Sequence, residues 1–365
     1  MYSETELASA VRAGILEPAT LDALRAHIAA QRGETSTADD EQVRLVTGFN
    51  DIFVTIACAL VIFAAASVGQ NGNGMAAGLY VALVSWPMAE MFTRKRRMAL
   101  PSIVLLLSFV IGLGAFAGAL VKGWLPLHDV VHPFEGPELL THSYVTQELY
   151  PWQTALAGGV GALAAGVGAL VHWLRFHVPI TVAAVVAALV LLLLSAVAAA
   201  TGSALTNNAL LAPAALVCGL AVFAFAMRWD LSDPVRTTIR ADIAFWLHLL
   251  AAPLIAHPLF YWMGVTSGES IGVATALGVL ALYVVFGVVA LAVDRRALLV
   301  SALAYVLIAL TRLMNVAGHV QESVALTALV IGSALLALSA FWGVIRRGLL
   351  IRLPAGLAGR LPHSA

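Results

Sequence analysis

The stretch VAAVVAALVLLLLSAV, residues 182–197, decides the fold. Its apolar residues cover every face of a helix, and they do not follow the alternation of apolar and polar residues that a membrane barrel strand requires. About 20 such residues in a helix cross a hydrocarbon layer about 30 Å thick. The stretch and its apolar neighbours therefore predict a transmembrane helix.

Nine further segments share this length and composition. The ten predicted spans are residues 52–68, 75–92, 99–121, 152–173, 178–200, 209–227, 241–263, 271–293, 297–317 and 323–342. Hydrophobic residues make up 61% of the 365 residues and charged residues 11%, whereas soluble proteins are about 45–50% apolar. The chain has too few charged side chains to cover a soluble globule. We therefore expect an all-α integral membrane protein with about ten transmembrane helices.

Basic residues are concentrated in alternate connections between the predicted spans. Apart from Lys122 and Arg312, all of the 20 Lys and Arg residues fall in segments that are cytoplasmic if the N-terminus is inside. Short cytoplasmic loops are enriched in Lys and Arg. We therefore expect both termini to be cytoplasmic.

Composition divides the chain into a cytoplasmic segment of amphipathic helices and linker, a ten-span domain with one large extracytoplasmic loop, and a basic cytoplasmic tail. These are residues 1–48, 49–345 (loop 122–150) and 346–365. The first segment lacks the apolar core of a signal peptide. Its apolar faces, before Gly14 and after Pro18, pack within the protein or bind a cytoplasmic protein partner through residues 1–44.

Two parts of the predicted membrane domain resemble each other. The third span opens with RRMAL, residues 96–100, and the ninth opens with RRALL, residues 295–299. The first and seventh spans both begin with Asp-Ile, at Asp51 and Asp242. We predict an internal repeat of four plus two plus four spans, because internal repeats are common in secondary transporters.

Three short stretches carry a resemblance to known proteins. They are AGILEPATLDALR at residues 13–25, GFNDIFV at residues 48–54 and FWLHLLAAPLIAH at residues 245–257. With them the chain resembles uncharacterised bacterial polytopic membrane proteins of unknown function. The resemblance implies a location in the bacterial inner membrane, and it implies no activity, substrate or catalytic residue.

Arg312 lies within the ninth predicted span, about five residues before its outer end. A charged side chain in a bilayer costs about 2.5–3.5 kcal/mol, so such residues are functional candidates. Asn315 follows three residues later on the same helix face. We predict that both bind an anionic solute, because a guanidinium matches carboxylates and phosphates. Alternatively, Arg312 reaches the membrane surface or pairs with Glu269 or Glu322.

The seventh predicted span contains Asp242, His248 and His257 together with Pro253 and Pro258. Each proline removes a backbone donor, which favours a bend, and frees a carbonyl one turn earlier that can line a path. The histidines are about 13.5 Å apart along the helix, so one metal ion cannot bind both. We predict that Asp242, His248 and His257 contribute to a substrate site or a proton relay. The alternative is that the histidines only bond neighbouring helices.

The loop of residues 122–150 contains His128, His132 and His142. His128 and His132 have the spacing that would place two metal ligands on one face of a helix. The three histidines are therefore candidate metal ligands. The alternative is an ordinary polar surface loop.

Other motifs argue against several functions. Gly114 and Gly118 in the third span, with Gly161 in the fourth, indicate close helix contact. The chain lacks a phosphate-binding loop, a Gly-x-Ser-x-Gly elbow, a His-Glu-x-x-His pair and a two-cysteine motif, so we expect neither an enzyme nor a bound cofactor. The net charge is zero, which gives no basic excess for nucleic acid.

The predicted function is secondary transport of a small, anionic solute, at a site where the seventh and ninth spans meet. A membrane scaffold or sensor is the alternative, with a cytoplasmic partner and an outer loop that senses a metal or ligand. A binder of haem or metal through His248 or His257 is the third hypothesis. The lipid bilayer is the one partner that composition itself predicts.

Overall fold

Apolar helices form most of the described chain. The computed structural model describes residues 7, 10–24, 49–70, 75–133, 143–233, 236, 238–265, 272–316 and 323–352, with their side chains except those of 133, 143–144, 312–316 and 323–324. Backbone amides have no water partner in a bilayer, and a helix satisfies them within one segment. The apolar segments are helical for this reason.

We number the helices from the first one that crosses the predicted membrane. They are α1 (Phe49–Gln70), α2 (Met75–Ala89), α3 (Ala99–Lys122), α4 (Pro151–Phe176), α5 (Ile180–Ala200), α6 (Asn208–Leu231), α7 (Ile239–Trp262), α8 (Val273–Val293), α9 (Ala297–Val316), α10 (Ser323–Ala340) and α11 (Trp342–Arg352). In the described ranges, the eight helices α1 to α8 are long and apolar enough to cross a membrane, where α2 is counted with its continuation to Lys95. The bent pair of α10 and α11 adds a ninth if it forms one span. The prediction of an all-α membrane protein is confirmed to this extent, and the count of ten stays a prediction.

The loop after α3 contains a β-hairpin that the sequence analysis did not predict. Strand β1 (His128–Pro133) pairs antiparallel with β2 (Ser143–Glu148). Val130, Val131 and Val145 are β-branched, and such residues favour strands. The expectation of helix throughout the chain is therefore wrong for this loop.

Regular helical geometry is interrupted in two places among the described residues. α2 contains Pro87 and continues as a π-helix, Glu90–Lys95. α10 and α11 meet at an angle of 73°. α7, by contrast, is one continuous helix through Pro253 and Pro258. The prolines of α7 therefore do not divide it.

α3 packs closely against α2 and α4 through glycines. A Cβ atom on Gly112 would lie 2.7 Å from the carbonyl oxygen of Gly78 in α2. A Cβ atom on Gly161 in α4 would lie 2.7 Å from the carbonyl oxygen of Gly114. Larger side chains would push these helices apart. The predicted packing role of Gly114, Gly118 and Gly161 is confirmed.

The chain forms two compact units, residues 1–42 with 363–365 and residues 43–362. In the first unit, a helix covers residues 18–24, starting at Pro18, and Gly14 before it has a left-handed φ of 69°. Leu21 is buried and Leu24 is exposed. The short helix predicted after Pro18 is present within the described residues.

Ion pairs show which helix ends lie on the same side of the larger unit. Glu90, just after α2, accepts a 2.6 Å hydrogen bond from Nε of Arg175 near the end of α4. Asp230 near the end of α6 pairs with Arg295 in the turn between α8 and α9. All of these are ends that the distribution of basic residues predicts to be cytoplasmic.

Candidate functional site

A buried ion pair joins α6 to the turn between α8 and α9. Asp230 lies in the last turn of α6 and Arg295 follows α8, and both are at most 2% exposed. Nε of Arg295 donates to Oδ2 of Asp230 at 3.0 Å, and its second nitrogen donates to Oδ1. That nitrogen also donates to the carbonyl oxygen of Ala241 in α7, at 3.3 Å. One guanidinium therefore connects α6, α7 and α8.

Asp294 is the acceptor of a second group of buried hydrogen bonds and ion pairs beside this pair. It ends α8 in the left-handed conformation with φ 61°, which a short polar side chain tolerates better than most. Its carboxylate accepts 2.8 Å hydrogen bonds from Nη1 of Arg236 and from Nε1 of Trp342. Arg346 Nε lies 3.5 Å from the same carboxylate and donates to the carbonyl oxygen of Leu291 at 3.1 Å. Asp294 therefore holds the start of α11 against the end of α8.

The connection from α6 to α7 completes the arrangement. Oδ2 of Asp233 accepts hydrogen bonds from the backbone N–H and the hydroxyl of Thr238, at 2.9 and 2.7 Å. Thr238 is the N-cap of α7 and accepts from the backbone N–H of Arg240. Arg236 in this connection has Nε 4.0 Å from Oδ1 of Asp230. Because Arg236 also binds Asp294, it links the two buried carboxylates.

We call these residues the charge cluster. Its members are Asp230, Asp233, Arg236, Asp294, Arg295 and Arg346, three carboxylates and three guanidinium groups. A buried charge costs several kcal/mol unless it is paired and hydrogen-bonded, and balanced pairing offsets that cost. In the sequence the arginines indicated only the orientation, and Asp230, Asp233 and Asp294 were not among the predicted site residues. The available signal was an aspartate next to a basic helix end, in RWD at residues 228–230 and DRR at residues 294–296.

The predicted residue His248 lies against the charge cluster. Its side chain is fully buried, and Nδ1 is 2.8 Å from the carbonyl oxygen of Ala244. A carbonyl only accepts, so Nδ1 carries the hydrogen and Nε2 is an acceptor in the neutral ring. Nε2 is buried without a hydrogen bond partner among the described residues. Nδ1 also lies 3.8 Å from Oδ2 of Asp230, which brings a protonatable group to the cluster.

Asp242 and His257 occupy different parts of α7. Asp242 is half-buried in the first turn, next to Ala241, whose carbonyl oxygen accepts a hydrogen bond from Arg295. His257 lies nine residues after His248, about 13.5 Å along the helix. The structure therefore brings Asp242 and His248 to the charge cluster and separates both from His257.

His257 bonds a residue of α9 that the sequence analysis did not consider. Its Nδ1 is 2.7 Å from the hydroxyl of Tyr305. The Tyr305 ring stacks on Phe260 with centroids 4.4 Å apart. α7 and α9 do pack against each other, as the predicted site requires. Arg312 and Asn315 lie in the last turns of α9, and their side chains fall outside the described part of the chain.

The candidate metal ligands of the outer loop lie on a strand and not on a helix. His128 and His132 are both in β1, where four residues span about 13 Å, so the helical spacing argument is wrong. His128 stacks on Tyr150 with centroids 3.8 Å apart. His132 Nε2 is 2.7 Å from the Thr146 hydroxyl and 3.2 Å from a Glu148 oxygen. The described residues contain no cluster of three metal-binding side chains, and His142 lies outside them.

Hydrogen bonds lower the pKa of Glu148 below its ordinary value of 4.5. The bond from the Thr146 hydroxyl is the largest cause, and the bond from His132 is the second. These bonds favour the charged carboxylate. Glu148 and His132 therefore act as a cross-strand polar pair of the hairpin.

Comparison of the chain with protein-family models, curated proteins and solved structures gives no match in any of the three.

Proposed function

We propose that the protein is a carrier for a small solute, with ten spans and both termini on the cytoplasmic side of a bacterial inner membrane, and that the charge cluster is its inner gate. The buried, charge-balanced ion pairs among α6, α7, α8 and α11 are the single observation that carries this proposal. The all-helical membrane architecture supports it.

The energetics of buried ion pairs support a gate. Replacing a buried pair with apolar residues is often neutral or stabilising, so ion pairs are weak evidence for a purely structural role. Arg295 joins the end of α6 to the turn between α8 and α9, and Arg236 joins the connection after α6 to the end of α8, so neither pair lies within one helix. Conformational transitions between packed elements commonly break and remake such pairs. A carrier would open this end by separating the pairs while water solvates the freed charges.

A second pair of polar side chains, farther along α7, supports a solute site beyond the inner gate. The His257–Tyr305 pair lies about 13.5 Å from His248 along the helix, and Pro253 lies between the two histidines. Proline at that position leaves the carbonyl of Leu249 without its helical donor. In carriers, polar backbone groups at mid-helix bind substrates and ions. Arg312 follows Tyr305 by two helical turns and is the proposed partner of an anionic solute.

His248 is the proposed coupling residue, with a proton as the coupling ion. Its buried Nε2 has no hydrogen bond partner among the described residues and can accept a proton. The neighbouring Asp230 would then face a positive ring as well as Arg295, which changes the charge balance of the cluster. Proton binding would thereby alter the stability of the inner gate.

The test is thermal unfolding of detergent-purified protein with organic anions, amino acids and divalent metal ions, each at two pH values. A bound solute stabilises the native state by about 2.7 kcal/mol at a concentration 100 times its Kd. We expect an anion to raise the Tm of the wild type and not that of Arg312→Ala. Removal of residues 1–44 should leave this response intact.

Two further outcomes would contradict the carrier proposal. Absence of any solute response, together with loss of partner binding on removal of residues 1–44, would favour the scaffold or sensor. Stabilisation by metal ions alone would favour the outer loop as the functional site. His248→Phe tests the coupling residue, because it should abolish proton-driven solute uptake into liposomes while the protein remains folded.

A further inference from the structure

A second feature, far in sequence from the charge cluster, is a cavity of about 850 Å³ between α3, α4 and α5. Its volume lies in the range of small-molecule sites, about 300–1,000 Å³. Most lining residues are glycine, alanine or leucine, among them Leu107, Gly114, Gly118, Ala157 and Leu191. The cavity is therefore apolar along most of its length.

The packing of glycines explains why this space exists. α3 and α4 touch through their backbones, since a Cβ atom on Gly118 would lie 3.1 Å from the carbonyl oxygen of Ala157. The small side chains that permit this contact leave room on the side towards α5. There α5 contributes Ala184, Ala187 and Ala188, which are also too small to fill the space.

One end of the cavity is basic. Lys122, the last residue of α3, lines the cavity at the end near the hairpin and is exposed. Thr154 and Thr206 lie in the same lining. Lys122 is the one basic residue that the sequence places between the third and fourth spans. The cavity thus combines a long apolar surface with a single positive charge.

The length of the cavity fits an extended hydrocarbon chain. Leu107 and Lys122 are 15 residues apart on α3, or about 22 Å at 1.5 Å per residue. One leaflet of the hydrocarbon core is about 15 Å thick, half of the roughly 30 Å total. The cavity is therefore longer than one leaflet is thick, so an acyl chain with its charged group at Lys122 can extend along α3 through the whole leaflet. Ordered water needs two to four polar partners. The lining is mostly apolar, so water is a poor occupant of this cavity.

We propose that this cavity binds one anionic phospholipid of the surrounding bilayer, with an acyl chain along α3 and α4 and the headgroup phosphate at the Lys122 ammonium. The charge of Lys122 selects an anionic headgroup, and the glycine and alanine lining selects an aliphatic chain. This site goes beyond the proposed function and does not depend on it.

The test measures lipid binding to the purified full chain by native mass spectrometry and by Tm, with phosphatidylglycerol or phosphatidylcholine added to the detergent. We expect the wild type to prefer phosphatidylglycerol. Lys122→Gln should weaken phosphatidylglycerol binding about fivefold, the contribution of one basic residue near an anionic headgroup. Lys95→Gln, an exposed lysine outside the cavity, is the matched control and should leave the preference unchanged.

A second variant tests the apolar part of the cavity. Ala187→Leu should reduce retention of both lipids by occupying the cavity, whereas Ala64→Leu on the exposed face of α1 should not. Equal binding of the two lipids by the wild type would overturn the proposal, as would a full phosphatidylglycerol preference in Lys122→Gln. A change of oligomeric state in Ala187→Leu, with lipid retention intact, would identify the cavity as a contact between copies and also overturn it.

Discussion

The guanidinium of Arg295 binds both carboxylate oxygens of Asp230, although the two residues are 65 positions apart in the chain. Both side chains are almost completely excluded from solvent. Bidentate, charge-assisted hydrogen bonds are among the strongest that a protein forms. The pair therefore fixes the end of α6 against the start of α9. Removal of either side chain leaves the charge of the other buried without a partner.

Asp230→Asn should destabilise the protein strongly. The substitution leaves the Arg295 guanidinium buried without its counter-charge, and breaking one side of a buried pair costs about 3–5 kcal/mol. Thermal unfolding in detergent, followed by circular dichroism, measures the effect as a lower Tm. Arg295→Met should give a loss of similar size, because Asp230 is then the uncompensated charge.

The exposed pair of Glu90 and Arg175 is the matched control. It is also bidentate, but both side chains are more than a quarter exposed. Glu90→Gln should therefore lower the Tm much less than Asp230→Asn does, because exposed pairs contribute little to stability. Equal effects of Asp230→Asn and Glu90→Gln would show that burial does not determine the strength of the pair.

The double variant Asp230→Leu, Arg295→Met should recover part of the stability that each single variant loses, because no buried charge of this pair is then left without its partner.

Tyr305→Phe should cost about 1 kcal/mol of stability. The variant removes the hydroxyl that bonds Nδ1 of His257 and retains the ring that stacks on Phe260. Tyr283→Phe is the control, because the hydroxyl of Tyr283 is buried without a partner among the described residues. Its removal should be neutral or stabilising. A larger loss in Tyr283→Phe than in Tyr305→Phe would contradict this assignment of the two hydroxyls.

The fold could be predicted from sequence because its cause is local. Residues 182–197 are apolar on every face, which leaves a helix as the only way to satisfy their backbone in a bilayer. The hairpin was missed because its strands are short and separated, and their pairing is not a property of either strand alone. The helical spacing of His128 and His132 therefore had no structural meaning.

The charge cluster could be predicted only in part, for the same physical reason. The position of Arg295 at a helix end follows from its neighbours in sequence. Its partner Asp230 depends on how α6, α7 and α8 pack, and no local pattern specifies that packing. His248 was a candidate because a polar group within a span is costly. The tautomer of His248 and its distance from Asp230 could be obtained only from the structure.

Gly112→Ala should destabilise the contact between α2 and α3. The added Cβ atom would lie 2.7 Å from the carbonyl oxygen of Gly78 and 3.0 Å from the backbone nitrogen of Ala82, and neither backbone atom can rotate away. Overpacking of this kind costs about 1–3 kcal/mol. The change should lower the Tm in detergent.

Gly287→Ala is the control for this contact. No atom lies within 4 Å of a Cβ atom added at Gly287 in α8. Because alanine is the better helix former by about 1 kcal/mol, this variant should be neutral or more stable. A loss in Gly287→Ala equal to that in Gly112→Ala would indicate that glycine itself, and not the close helix contact, determines stability.

Acid should weaken the hairpin through Glu148. The pKa of this carboxyl is lowered in the folded protein, first by the Thr146 hydroxyl and then by His132. The stabilisation is therefore present above the ordinary pKa of 4.5 and is lost as the pH falls through the lower folded value. Hydrogen exchange of the amides of β1 and β2, measured between pH 6 and pH 3, should show falling protection in the wild type relative to Glu148→Gln. The ratio removes the intrinsic pH dependence of exchange, so a ratio that stays constant over this range would contradict the role of the carboxylate.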